Sequence, residues 1–368
     1  MEKGLLMLMK NMRNKKKLAS LEGFHKIYSG MQEIFDELFD YTIITSYEKD
    51  TIQYKNKIFI PKNILSSSFC YYPGLYRYLK NNNFDILHIR PYYRPYSLTA
   101  LFYSILNKKK IFITEEQRND PHNTFENIIF QIYLFFLRPL INIKVHKVIS
   151  LTKPSYEYLK KKGFKKLVCI PITYEPKIST KEVNNKQQKL KIICVARFEW
   201  LKAHHILIKA INHIIKNNKL AKKDIEVNLV GEGILMKDME KLCKKLNISD
   251  IINFKGKIQN KRLDNYYQKH NIFVLSSVSD PIGMVVFEAM SNGLPAIVSS
   301  NTGAKGSVHD DKNGYVFKNK DYKDLAEKIL LMKNPNKRQK FGEESIKILK
   351  ENHNPGKIKN KYRDALEE

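Results

Sequence analysis

Short apolar runs rich in β-branched residues alternate with stretches of helical spacing along most of this chain. In the first half, residues 41–45, 84–89, 110–114, 147–151 and 167–171 read as buried strands. Between them GMQEIFDELF, LYRYLKNN and PSYEYLKKKG carry apolar positions three and four apart, and Gly163 reads as a C-cap. Residues 173–189 are polar without an apolar period and read as a linker. The rhythm then restarts: LKIICVA, IEVNLVG, IINFKG, IFVLSS and PAIVSS are strands. HHILIKAINHIIKNN, LMKDMEKLCKKL, RLDNYYQKH and MVVFEAMSNG are the helices between them. Such alternation predicts parallel sheets with helices on both faces. The expected architecture is α/β, two Rossmann-like doubly wound domains facing across a cleft. Ligands are then expected beyond the carboxyl ends of the strands.

At 368 residues the chain is long enough for two cores, and 43% hydrophobic with 28% charged residues is a globular composition. The four cysteines, Cys70, Cys169, Cys194 and Cys243, form no CxxC pair, so neither a zinc site nor a disulfide framework is expected and a reducing compartment is the default. GLLMLM near the start is too short for a signal-peptide core. The most membrane-like stretch, residues 127–143, is broken by Gln131, Arg138 and Pro139 and reads as a buried helix. The net charge of +28 has two readings, a lysine-rich composition on solvated faces or a surface attracted to something anionic. KNMRNKKK, NKKK and KKKGFKK all fall in the first half, which favours a contact there with an anionic surface, whether lipid headgroups, phosphorylated substrates or nucleic acid. No motif interleaves aromatics with these clusters, so nucleic acid is not the expected partner.

Candidate chemistry gathers at four strand ends of the second half. Arg197 follows a strand and Lys202 comes where a helix begins; a guanidinium fork and an ammonium there suit a diphosphate. Gly231 and Gly233 follow the next strand, but Met236 stands where a dinucleotide fingerprint needs its third glycine. That favours a tight turn with backbone near a ligand over a nicotinamide site. Residues 256–258, ending in Ile258, follow a third strand and can present backbone groups to a base. In the fourth, Asp280 sits in a loop, Gly283, Met284 and Val285 open a helix, and Glu288 lies one turn along it. A helix start offers unpaired N–H groups and a positive dipole end to phosphate. Carboxylates at Asp280 and Glu288 can then each hold a sugar. Each feature also has a structural reading, as a surface cation, a tight turn or a loop acid.

Arg197–Phe198–x–x–x–Lys202, Gly231-x-Gly233, Phe254-x-Gly256, Asp280-x7-Glu288-Ala-Met-x-x-Gly-x-Pro and NTGAKGSVHDDKNGYVF occur in order across residues 191–334. Together they resemble the retaining GT-B glycosyltransferases of family 4, with a looser likeness in the first half. The resemblance implies transfer of a hexosyl group from a nucleotide diphosphate sugar to a hydroxyl of a glycan or polyprenyl-linked acceptor, without a metal or other cofactor. It implies that Arg197 and Lys202, with the backbone of residues 283–285, hold the diphosphate. Asp280 would contact the transferred sugar and Glu288 the ribose. Gly23 would belong to a loop of the acceptor domain, where Glu116 stands in place of the family's His and His88 or His122 is the substitute. Asp280 replaces a usual Glu, Ala203 a usual Gly and Ser307 another usual Glu. The implied domains are residues 1–172 for the acceptor, a linker at 173–190, residues 191–345 for the donor, and 346–368 crossing back. A cytoplasmic location, peripheral on the inner face of the membrane, follows from a lipid-linked acceptor. The alternatives are an epimerase or phosphorylase of the same fold, a nicotinamide oxidoreductase, or a non-enzymatic binder of anions or nucleic acid.

Overall fold

The computed structural model describes residues 15–22, 29–45, 57–59, 63–66, 69–72, 74–91, 94–116, 124–177 and 189–367. The chain forms two compact units: Met1–Thr173 with Pro355–Glu368, and Tyr174–Asn354.

The first unit runs β1 (Lys17–Glu22), α1 (Ser29–Leu38), β2 (Asp40–Thr45), β3 (Lys57–Phe59), β4 (Asn63–Ser66), β5 (Phe69–Tyr71), α2 (Leu75–Asn82), β6 (Ile86–Arg90), α3 (Pro95–Leu106), β7 (Lys110–Glu115), α4 (Thr124–Lys144), β8 (Lys147–Ser150), α5 (Lys153–Lys161) and β9 (Leu167–Cys169). Seven strands form a parallel sheet in the order β3-β2-β1-β6-β7-β8-β9, with β4 and β5 pairing separately. Strands added in opposite directions from β1 and β6 by right-handed crossovers put their helices on opposite faces. Leu87, Ile89, Ile111, Ile113 and Val148 of the strands share one core with Leu79, Tyr96, Ala100, Phe130, Leu134 and Ile141 of the helices.

KLASLE is absent from the strands expected from pattern, yet as β1 it lies between β2 and β6. It has no β-branched residue; pairing on both edges overrides its weak intrinsic preference. The helix expected to be buried at residues 127–143 is α4, and it is buried along one side only. Ile128, Ile132, Phe135, Phe136 and Ile143 are exposed, because a single helical stripe meets the sheet.

The second unit runs β10 (Leu190–Val195), α6 (His204–Lys216), β11 (Ile225–Val230), α7 (Met236–Lys245), β12 (Ile252–Phe254), α8 (Asn260–Gln268), β13 (Ile272–Leu275), α9 (Met284–Ser291), β14 (Ala296–Ser299), β15 (Gly314–Phe317), α10 (Tyr322–Leu330) and α11 (Pro335–Asn352). Its parallel sheet has the order β12-β11-β10-β13-β14-β15. The direction of winding reverses between β10 and β13, so their carboxyl ends flank a topological switch point. The last helix, α12 (Pro355–Glu367), packs in the first unit, where the Tyr362 ring meets the Phe35 ring of α1 edge-on at 5.5 Å. Residues 346–354, expected in the crossing segment, lie instead with the second unit. There α11 packs so closely on the end of α9 that a Cβ on Gly342 would stand 2.3 Å from the Gly293 carbonyl oxygen.

Candidate functional site

The loop after β10 folds into a short 3-10 turn, Trp200–Lys202, followed by Ala203 in the left-handed region at φ 49°. An alanine there bears a strain of roughly 1–2 kcal/mol that glycine would not. The turn is stitched to the strand across the switch point. Ser276 Oγ donates to the carbonyls of Lys202 and Ala203 at 3.2 and 3.1 Å, and the Val278 N–H donates to Leu201 at 2.9 Å. These bonds fix where Lys202 leaves the backbone.

Lys202 Nζ reaches Asp280 Oδ2 at 2.6 Å, with side chains only 20% and 11% exposed. The other carboxylate oxygen accepts the Gly283 N–H at 2.7 Å. Backbone bonds pin the same loop, from the Asp280 N–H to Asn301 at 3.2 Å and from the Gly303 N–H to Asp280 at 2.9 Å. Gly283, at φ 76°, opens α9, and a Cβ there would strike Thr302 Cγ2 at 2.7 Å. The glycine expected to admit a ligand is thus also demanded by the neighbouring Thr302. Among the described residues nothing accepts from the N–H groups of Met284 and Val285, the first-turn donors of α9. Thr302 Oγ1 and Ser277 Oγ are buried there without a partner among the described residues. Neither residue has a sequence signal; their burial comes only with the fold.

Glu288 lies one turn along α9, where Tyr267 of α8 donates to its Oε2 at 3.0 Å. Burial raises the Glu288 pKa above the ordinary carboxyl value, against the lowering effect of Tyr267 and Lys177. Burial likewise lifts the Tyr267 phenol well above its usual range, helped by the Glu288 charge. Beside them Tyr174 stacks on Phe287 at 6.3 Å, and Lys177 pairs with Asp264 at 2.7 Å. Tyr267, Tyr174 and Lys177 were not singled out from sequence, since an aromatic on a helix and the start of a polar linker carry no pattern.

Gly231 and Gly233 serve loop packing. A Cβ on Gly231 would lie 2.0 Å from the Ala196 carbonyl oxygen, and one on Gly233 2.6 Å from that of Phe198. The Phe198 N–H donates to Glu232, and Leu235 donates back to Phe198, closing the two loops on each other at 2.9 and 3.0 Å. The close backbone approach expected at these glycines is therefore to the β10 loop. The Gly231 N–H also donates to the Gly256 carbonyl at 2.9 Å, tying in the segment that carries half-buried Ile258. Arg197 points to Glu199, Nη1 to Oε1 at 2.8 Å, with its side chain 72% exposed. Lys202, Asp280 and Gly283 are thus brought together, and Arg197 stands apart from them on Glu199.

In the first unit, His88 sits inside the sheet at register with Ser20 and Phe112. Its Nδ1 meets Ser20 Oγ at 2.7 Å and its Nε2 meets Thr114 Oγ1 at 2.8 Å. Burial, then the Arg90 charge, lowers its pKa to about 3. Expected on the acceptor side, His88 is instead a packed sheet residue, because a mid-strand position on β6 is covered on both faces. Glu116, at the carboxyl end of β7, is half-buried and paired with Arg90. Gly23 and His122 lie outside the described residues. Ser307 meets His353 Nε2 at 3.0 Å within the second unit.

Two parallel doubly wound sheets in separate units, the second with a cation, an acid and a glycine-started helix at its switch point, define the GT-B fold class. Residues 176–348, nearly all of the second unit, match the family described as Glycosyl transferases group 1. The chain is 32% identical over 143 residues to Protein CapJ of Staphylococcus aureus, covering 38% of this chain and 34% of that one. It is 29% identical over 195 residues to a poly(glycerol-phosphate) alpha-glucosyltransferase of Bacillus subtilis, covering 52% of this chain and 28% of the relative. The aligned part thus spans about a third of the length of these curated relatives. The solved structure of Anabaena HepE with UDP and glucose has the same fold, with TM-score 0.74, 14% identity, and coverage of 96% of this chain and 99% of that one.

Proposed function

We propose that this chain is a retaining glycosyltransferase that moves a hexosyl group from a nucleotide diphosphate sugar to a hydroxyl of a glycan or lipid-linked acceptor. One observation carries the reading: Lys202, Asp280 and Gly283 are locked together where the unpaired N–H groups of α9 begin. An ammonium held beside a helix start is suited to a diphosphate, whose charge grows as the sugar departs. The glucosyltransferase name of one relative and the UDP and glucose bound by one solved neighbour support a donor of this class.

In this reading the N–H groups of Met284 and Val285 and the Lys202 ammonium hold the diphosphate. Arg197, exposed and paired only locally with Glu199, turns to join them. Glu288, whose Oε2 is taken by Tyr267, offers Oε1 to ribose hydroxyls. Asp280 orients Lys202 through one oxygen and is the acid nearest the transferred sugar. The bond from the anomeric carbon to the diphosphate oxygen breaks, and the acceptor hydroxyl attacks the same face. Its proton passes to the leaving phosphate, giving a glycoside and a nucleoside diphosphate. The reading needs no metal ion, because cations and a helix dipole meet the leaving charge. Scattered cysteines and a nucleotide-sugar donor suit a reducing, cytoplasmic location.

The test is turnover of a panel of nucleotide sugars, with products identified by mass spectrometry and the new anomeric centre by NMR. Retained configuration and unchanged rates in EDTA are expected. Release of an isomerised sugar nucleotide without acceptor would make it an epimerase instead. A folded protein that binds no nucleoside diphosphate would end the reading.

A further inference from the structure

Two polar atoms beside helix α9 are without a hydrogen-bond partner among the described residues. Glu288 accepts from Tyr267 through Oε2 at 3.0 Å, while no described group bonds its Oε1. Because Tyr267 is fully buried, that bond holds the carboxylate in one orientation. The second atom is the Tyr174 hydroxyl, to which no described group is hydrogen-bonded. After burial, the charges of Glu288 and Asp264 hold this phenol above its usual pKa range. It therefore lies beside both acids and stays a donor at neutral pH.

Asp264 is already served by other donors. Its two oxygens take the Lys177 ammonium at 2.7 and 2.8 Å, and Oδ1 takes the Asn292 amide as well at 3.0 Å. The carboxylate oxygen left over near Tyr174 is Glu288 Oε1. The phenol is also fixed in place. Its ring stacks on Phe287, the residue before Glu288, with centroids 6.3 Å apart. The Tyr174 N–H donates to His353 at 2.9 Å, and the Lys177 N–H donates to Ser291, at the end of α9, also at 2.9 Å.

An acceptor oxygen and a donor hydroxyl that do not bond each other suit one ligand group above others. A ligand hydroxyl gives its hydrogen to the carboxylate and receives one from the phenol. A carbonyl or phosphate offers no hydrogen to Glu288, and an ammonium accepts nothing from Tyr174. We propose that Tyr174 and Glu288 together clamp one ribose hydroxyl of the donor nucleotide, so that Tyr174 selects ribonucleotides over their deoxy forms. This rests on the transferase reading, in which Glu288 meets the ribose and Tyr174 has no part. A ligand without the hydroxyl leaves both half-buried groups unmet, and sites built on such hydrogen bonds discriminate strongly.

The experiment is isothermal titration of UDP, GDP and ADP, and of the 2′-deoxy and 3′-deoxy form of each, into the full chain and into Tyr174→Phe, which keeps the stacked ring. For a diphosphate that binds, loss of the clamped hydroxyl is expected to weaken binding about a hundredfold in the unaltered chain. Tyr174→Phe should bind the ribonucleotide about tenfold more weakly. It should bind the matching deoxy form nearly as the unaltered chain does, so that discrimination falls about tenfold. Its melting temperature should not change, and the KM for the donor sugar should rise about tenfold with kcat unaltered. Equal affinity of the unaltered chain for ribo and deoxy forms overturns the proposal. So does equal weakening of both forms by Tyr174→Phe, which would leave the hydroxyl a packing or water-holding role. Ribonucleotide binding that Tyr174→Phe leaves unchanged ends the clamp alone, whereas no binding of any diphosphate ends the transferase reading and the clamp with it.

Discussion

Asp280 holds Lys202 at 2.6 Å with one oxygen and the Gly283 N–H at 2.7 Å with the other, so removing either charge disturbs both structure and chemistry. Lys202→Ala leaves a mostly buried carboxylate without its cation. It should cost about 1–3 kcal/mol of stability and lower turnover about a hundredfold. A double change, Lys202→Met with Asp280→Asn, should recover much of the stability and none of the turnover. Chemical denaturation beside steady-state kinetics separates the two effects. Glu288 makes a second residue-scale case. Its raised pKa means that the folded chain binds its proton more tightly than the unfolded one. Stability therefore falls as pH rises above the ordinary Glu value, and burying the charge is a standing cost at neutral pH. Glu288→Gln should raise the melting temperature at pH 7 and weaken nucleotide binding, as isothermal titration would read. A lower melting temperature would mean that Glu288 is structurally required.

Elements meet at this site backbone to backbone, and the glycines report how tightly. Gly231 and Gly256 both have positive φ, 143° and 64°, but only Gly231 is hemmed in, by the Ala196 carbonyl. A Cβ on Gly256 meets nothing within 4 Å. Gly231→Ala should therefore destabilise by more than about 3 kcal/mol, since the β10 and β11 loops must separate. Gly256→Ala should cost about 1–2 kcal/mol, the left-handed penalty alone. Thermal melts of the two variants test the distinction. Helix α9 shows why a run of eight residues can be a stable element here. Val286, Phe287, Ala289 and Met290 are buried, and α11 closes over its end at Gly293. Its stability comes from packing rather than length.

Across the whole molecule, each unit carries a buried neutral histidine, His88 within the first sheet and His204 at the start of α6. His88 in the first unit is lowered to about 3 and His204 in the second to about 4, in both cases chiefly by burial. Below the ordinary histidine pKa the unfolded chain takes up these protons and the folded chain does not. Stability is thus present above about pH 6.5 and is lost as pH falls toward 4, by on the order of 3 kcal/mol per site. Denaturant midpoints measured between pH 7 and 4 should show this, and His88→Gln or His204→Gln should flatten the slope. The two parallel sheets were legible from alternation, because βαβ units bury near-continuous apolar runs. It was legible too that Arg197, Lys202 and Asp280 lie in loops just beyond such runs. The central strand β1, the one-sided burial of α4, the interior place of His88 and the loop packing of Gly231 were not legible. The sequence by itself determined where the chain alternates and which polar groups end its strands, since those follow from local period and composition. Only the tertiary structure decided which side chains meet, that Lys202 faces Asp280 and Arg197 faces Glu199, because contacts between distant residues depend on strand order and register.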